Sequence, residues 1–178
     1  LSSLDEDGAS SLALRLMEQA LETGHVDDAV IAQSLAQRDE FWALREGLPE
    51  AQTKEGASIK HDISVPIVDI PLFIERVTEE LSTLVPGIRP FVFGHMGDGN
   101  LHFNLQAPEA MSAQDFMARA SDIHALVYRH VLAMKGSISA EHGIGQVKRA
   151  ELAASKDPLA LDVMRQIKAV IDPEGRMN

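Results

Sequence analysis

Arg89-Pro90-Phe91-Val92-Phe93-Gly94-His95-Met96-Gly97-Asp98-Gly99-Asn100-Leu101-His102-Phe103-Asn104-Leu105 is the stretch that decides the fold. Two apolar runs, Arg89 to Gly94 and Leu101 to Leu105, flank a Gly-Asp-Gly-Asn turn, a pattern that predicts an antiparallel hairpin. With Gly97 to Asn100 as a four-residue loop, Met96 pairs with Leu101 and His95 with His102. Both imidazoles then lie on one sheet face with their Cβ atoms about 4.5 to 5.5 Å apart. Asn104, two residues beyond His102, shares that face. Phe93, Leu101 and Phe103 are expected on the other, holding the hairpin to a core.

Outward from the hairpin, strand and helix signals alternate. Lys60 to Val65 alternates like a strand closed by Pro66, and Pro71 opens a helix that runs through Leu84 to the Pro86-Gly87 break. Beyond the hairpin one long helix is expected from about Ser112 to Met134, then an extended piece from Gly136 to Ala140 and helices near Gln146 to Ser155 and Pro158 to Ile171. Towards the N-terminus, Leu12, Leu14, Leu16, Met17, Ala20 and Leu21 recur with helical spacing up to Gly24. Val26 to Ala32 predicts a short strand, and Ser34 caps a helix that should stop near Leu48, ahead of Pro49. Few strands interleaved with helices predict an α+β layer, an antiparallel sheet with helices packed mainly on one face.

Composition narrows the function. The 178 residues, 45% of them hydrophobic, suffice for one sizeable core and are treated as one unit. A formal charge of −11 opposes long-range attraction to nucleic acid or an anionic membrane, so a small anionic substrate would need local cations. With no cysteine in the chain, disulfides, thiolate ligands and thiol nucleophiles are excluded, and His, Asp and Glu remain as metal ligands. No apolar run approaches the ~20 residues a membrane span requires, and the N-terminal residues resemble no signal peptide. A soluble, cytoplasmic protein is the expectation. Leu1 to Asp5 lack an initiating methionine and read as a strand end entering a helix, as though the sequence began inside a longer protein.

The residues that carry chemistry sit in two glycine-rich places. A His-x6-His spacing alone is what any sheet with two histidines displays, but Ser139-Ala140-Glu141-His142-Gly143 adds a carboxylate. Two histidines and one carboxylate form a three-ligand set with room for substrate, as in a catalytic zinc or similar divalent site. His142 stands in a sharp turn before Gly143-Ile144-Gly145, where an imidazole can serve as a general base near neutral pH.

These segments resemble the C-terminal domain of FAD-linked oxidases of the D-lactate, D-2-hydroxyglutarate dehydrogenase and glycolate oxidase subunit group. The likeness rests on Phe93 to Asn104, Ser139 to Gly145 and Asp172-Pro173-x-Gly175-x-Met177-Asn178, supported by Trp42-x-x-Arg45-Glu46 and Lys60 to Pro66. It implies a ferredoxin-like antiparallel sheet over residues 1–178, acting as a substrate and metal domain that caps a flavin held by an N-terminal FAD domain outside this sequence. By motif, His95, His102 and Glu141 match the divalent-metal ligands, His142 the base, Arg45 and Lys60 the grips on substrate carboxylate, and Asn104 a polar substrate contact. The implied reaction oxidises a D-2-hydroxy acid, D-2-hydroxyglutarate or D-lactate, to the 2-oxo acid with hydride transfer to FAD. One position departs from the pattern: Pro49, four residues after Arg45, replaces a hydroxylated residue of the hydroxyglutarate-specific members.

The implied partners are a small 2-hydroxy acid, the FAD domain and an electron acceptor the sequence does not identify, with a homodimer left open. Two other classes share the ligand set: a non-catalytic module binding metal or organic acid, and a flavin-independent metal hydrolase.

Overall fold

A computed structural model of the chain describes residues 6–95 and 97–177, so Met96 and its expected pairing lie outside the described residues. The chain divides into two compact units between Ala51 and Gln52.

The first unit holds α1 (Glu6–Glu22) and most of α2 (Leu35–Lys54). α2 begins as its sequence implies. Ser34 Oγ accepts the Gln37 N–H at 3.2 Å, and the Gln37 side chain returns to accept the Gln33 N–H at 2.7 Å, a variant of the reciprocal cap. The strand expected at Val26 to Ala32 does not form. That segment is irregular, Val30 is largely exposed, and the Asp28 carboxylate takes the N–H of Ala29. Alternation without a neighbouring ladder cannot make a strand, because its backbone groups stay with water. Nor does α2 stop at Leu48. It continues through Pro49 to Lys54, and its last turn is fixed by bonds to the sheet: Asn104 Nδ2 donates to Gln52 Oε1 at 2.8 Å and Gln106 Nε2 to the Gln52 carbonyl at 3.0 Å. Tertiary bonds here outweigh the local penalty for proline.

The second unit is built round β4 (Asn100–Gln106). β3 (Arg89–Gly94) pairs antiparallel with one edge of β4. The other edge takes β1 (Ser58–Ile59) and β2 (Asp62–Ser64), which share one register, Ser58 opposite Gln106 and Asp62 opposite His102, and so form one interrupted strand. Ser64 then bridges to Ser137, extending the sheet by one more antiparallel segment. With α3 (Ile70–Leu84) between β2 and β3 and α5 (Ala120–Ala133) between β4 and Ser137, the order is the expected ferredoxin-like α+β arrangement.

Both helices cover one sheet face. Phe73, Val77 and Leu81 recur every four residues on α3, Ile123, Val127 and Val131 on α5, and all six are fully buried with Ile63, Phe103 and Leu105. Inside this core lies one polar pair. His61 Nδ1 is 2.9 Å from the Phe103 carbonyl, which can only accept, so Nδ1 carries the proton and Nε2 receives one from His124 Nδ1 at 2.9 Å. Burial above all, then the charge His124 could carry, lowers the His61 pKa from 6.5 to about 3.

The single helix expected from Ser112 to Met134 is two, α4 (Ala113–Ala118) and α5, broken at Arg119. The Arg119 N–H tightens onto the Phe116 carbonyl, and its guanidinium reaches the Leu84 carbonyl at the end of α3 at 3.3 Å. α6 (Arg149–Ser155) and α7 (Pro158–Ile171) follow, the latter capped by Asp157.

Candidate active site

β4 sends its even-numbered side chains to the face the helices leave free, and this alternation builds the site. The hairpin register differs from the expected one by two residues: His102 stands opposite Phe93, and Gly94 opposite Leu101, while His95 donates its N–H to the Asn100 carbonyl at 3.0 Å. A slip of two keeps every side chain on its face, so His95 and His102 remain neighbours, diagonal instead of opposed. Phe93 is not on the core face expected of it: two residues before His95 on the same strand, it shares that histidine's face by alternation in either register. It lies beside His102, ring centroids 5.0 Å apart, instead of in the core with Leu101 and Phe103.

Two glycines make this turn feasible. A Cβ on Gly94 would sit 2.1 Å from the Asn100 carbonyl oxygen, and one on Gly99, whose φ is +78°, 2.2 Å from that of Val65. Asp98 completes the turn by accepting the Asn100 N–H at 3.0 Å, and its other oxygen is 3.2 Å from His95 Nδ1. The Asn100 bond first, then that to His95, holds the Asp98 carboxyl below its ordinary range.

Glu141 meets this hairpin from a segment far along the chain. One of its oxygens is 3.4 Å from His95 Nδ1 and the other 3.8 Å from His102 Nε2. The His142 ring lies 6.0 Å from that of His102. The four residues singled out in the two glycine-rich motifs thus gather at one place. Among the described residues, no group of three His, Cys, Asp or Glu side chains stands at metal-holding spacing.

The segment carrying Glu141 and His142 is fastened by residues that motif reading passed over. Asp62, 5% exposed and opposite His102, accepts the backbone N–H groups of Glu141 and His142 at one oxygen, 2.8 Å each, and its own carbonyl takes the Ala140 N–H at 3.2 Å. Burial alone would raise its pKa, but the His142 and Glu141 N–H bonds, with the charges of His142 and Lys148, hold it below the ordinary carboxylate value. Lys148 Nζ donates to the Ile138 carbonyl at 2.8 Å, and Ser139 Oγ closes the turn onto the Gly143 carbonyl at 2.5 Å. The only sequence signal for Asp62 was a carboxylate in mid-strand among residues that alternate towards a core.

The remaining residues singled out by resemblance are placed differently. Asn104 is on the His102 face but buried, its amide engaged by Gln52. Carrying the shared register of β1 and β2 through the gap sets Lys60 opposite Asn104, and Lys60 lines a cavity of about 230 Å³ with His124, Tyr128 and Lys148. Arg45 belongs to the first unit, with its guanidinium 5.1 Å over the Trp42 ring one helical turn away.

Comparison with known proteins identifies the family. The family model described as FAD linked oxidases, C-terminal domain, matches residues 3–178. The chain belongs to that family. A D-2-hydroxyglutarate dehydrogenase from Stutzerimonas stutzeri (strain A1501) is 38% identical over 166 residues, 93% of this chain and 36% of the relative. Mitochondrial proteins of that name from Arabidopsis thaliana, 39% identical over 160 residues, and Rattus norvegicus, 37% over 164, cover 90% and 92% of the chain and 27% and 29% of their own lengths. The chain therefore spans about a third of the curated relatives it matches. Two of these names are mitochondrial, so they lend no support to a cytoplasmic location. Among the described residues no helix is long and apolar enough to cross a membrane.

Proposed function

We propose that this chain is the substrate and metal domain of an FAD-dependent D-2-hydroxy-acid dehydrogenase, with D-2-hydroxyglutarate the first substrate to test and D-lactate the second. The observation that carries the reading is the gathering of His95, His102, Glu141 and His142 at one place, in a chain whose relatives are named D-2-hydroxyglutarate dehydrogenases. His95, His102 and Glu141 would hold a divalent ion, zinc first, since two imidazoles facing the two oxygens of one carboxylate are the donor chemistry such ions take. Bound there, the ion would lower the pKa of the substrate hydroxyl, while FAD, held by another part of the longer protein, would accept the C2 hydride.

His142 takes the hydroxyl proton. Its ring is exposed and borders that of His102, so a hydroxy acid has access to it. A chain with a formal charge of −11 needs local cations to retain a carboxylate substrate: Lys60 would supply one, and Arg45, matched by the resemblance, has the chemistry of a two-pronged grip. Asn104 and Gln52 form a bonded amide pair on the same sheet face, from which Asn104 would contact substrate.

The test uses the full-length protein. D-2-Hydroxyglutarate bleaches the flavin under anaerobic conditions, elemental analysis finds one divalent ion per chain, and His102→Ala loses the ion. His142→Ala keeps the ion and lowers the flavin reduction rate about 10²- to 10⁴-fold, the usual range for a lost general base. Full reduction by the His142→Ala protein would remove the base, and failure of any 2-hydroxy acid to reduce the flavin would remove the whole reading.

A further inference from the structure

Three successive backbone N–H groups, those of Ala140, Glu141 and His142, are all bound by one residue, Asp62. Ala140 donates to the Asp62 carbonyl at 3.2 Å, Glu141 and His142 to the same Asp62 carboxylate oxygen at 2.8 Å each. That oxygen is also 3.6 Å from His142 Nδ1. The second oxygen, Oδ1, is buried and has no hydrogen-bond partner among the described residues. A carboxylate only 5% exposed is costly to bury, and a neutral amide could have accepted a backbone N–H here without that cost. The charge is therefore to be explained by something besides the turn, and what lies nearest is the edge of the candidate base.

A separation of 3.6 Å is too long for a hydrogen bond but well within reach of electrostatic orientation, and the full charge of Asp62 favours a proton on the near side of the ring. We propose that Asp62 is the positioning residue for His142: it fixes the Glu141–His142 backbone and keeps the proton on His142 Nδ1. Nε2 then carries the lone pair that takes the substrate proton. The strand supplies the rigidity, because Asp62 is paired with His102 across β2 and β4 and so ties the turn to the hairpin that bears two of the proposed ligands. A histidine in the opposite tautomer would offer the substrate an N–H in place of a lone pair and could not act as base. The inference rests on His142 being that base, but its tautomer can be read without turnover.

Full-length protein labelled with [15N]histidine, the His142 signals being those lost in His142→Gln, reports the tautomer directly by long-range proton–nitrogen correlation. Wild type shows the proton on Nδ1, and Asp62→Asn shows a mixture or Nε2–H. In anaerobic stopped flow, Asp62→Asn retains flavin and metal, binds substrate within threefold of wild type, and reduces its flavin at least 30-fold more slowly at saturation. Asp62→Glu regains part of that loss. A purely structural staple would disturb metal content and substrate affinity as much as rate. Nε2–H in the wild type overturns the proposal whether or not any variant folds, as does an Asp62→Asn protein with an unchanged tautomer or a reduction rate within threefold of wild type. Should wild type fail to oxidise hydroxy acids, the proposed function falls, while the tautomer still decides the role of Asp62.

Discussion

Gly94 and Gly97 lie three residues apart in one turn and should behave in opposite ways. A methyl on Gly94 meets the Asn100 carbonyl at 2.1 Å, backbone that cannot yield, whereas Gly97 has nothing within 4 Å and an ordinary φ. Gly94→Ala is expected to lower stability by about 2 kcal/mol or more, and Gly97→Ala to stay within about 0.5 kcal/mol, both read from urea midpoints. His61 makes a second prediction at this scale. Its folded pKa of about 3 lies below the ordinary 6.5, so between those values the unfolded chain binds a proton that the folded chain refuses. The stability that His61 contributes is complete above pH 6.5 and falls as the pH drops towards 3, by about 1.4 kcal/mol per unit within that window. Urea unfolding at pH 7 and pH 5 should show the loss, and His61→Gln, which cannot take the charge, should flatten it.

Among the elements, the hairpin shows what alternation can and cannot tell. The sheet face of His95 and His102 was legible because side-chain direction has a period of two, while the register was not, since loop length decides it and the backbone ladder already ends at Gly94 and Leu101. That Glu141 would join the two histidines was expected from donor chemistry and from family resemblance, but no spacing in the sequence brings it to the hairpin. The bonds that place it, Asp62 to residues 79 and 80 positions away, leave no periodic trace. α2 fails the local reading for a related reason: proline predicts an end at Leu48, but the partners that hold its last turn are Asn104 and Gln106, more than 50 residues later. Gln52→Ala should strip the Asn104 amide of its acceptor inside a buried site and cost about 1 to 3 kcal/mol, measurable by denaturant titration.

For the molecule as a whole, the apolar surface of α7 matters most. Leu159, Val163, Ile167 and Val170 recur along one helix at 73%, 46%, 55% and 82% exposure, an arrangement that water does not favour. The 178-residue chain alone is expected to self-associate and bind a hydrophobic dye, and Val163→Lys with Ile167→Lys to suppress both, as light scattering and dye fluorescence would show. The candidate site also joins two parts of unlike permanence. His102 rides on β4, paired along both edges, whereas Glu141 and His142 ride on a turn held by a few bonds to Asp62, Lys148 and Ser139. In deuterated water the amides of residues 101–105 should exchange only when the whole unit unfolds, and those of residues 139–145 through brief local openings many times more often. A ligand bound between the two would then leave at the pace of the turn, so its residence time would follow the breathing of a few residues instead of the lifetime of the fold.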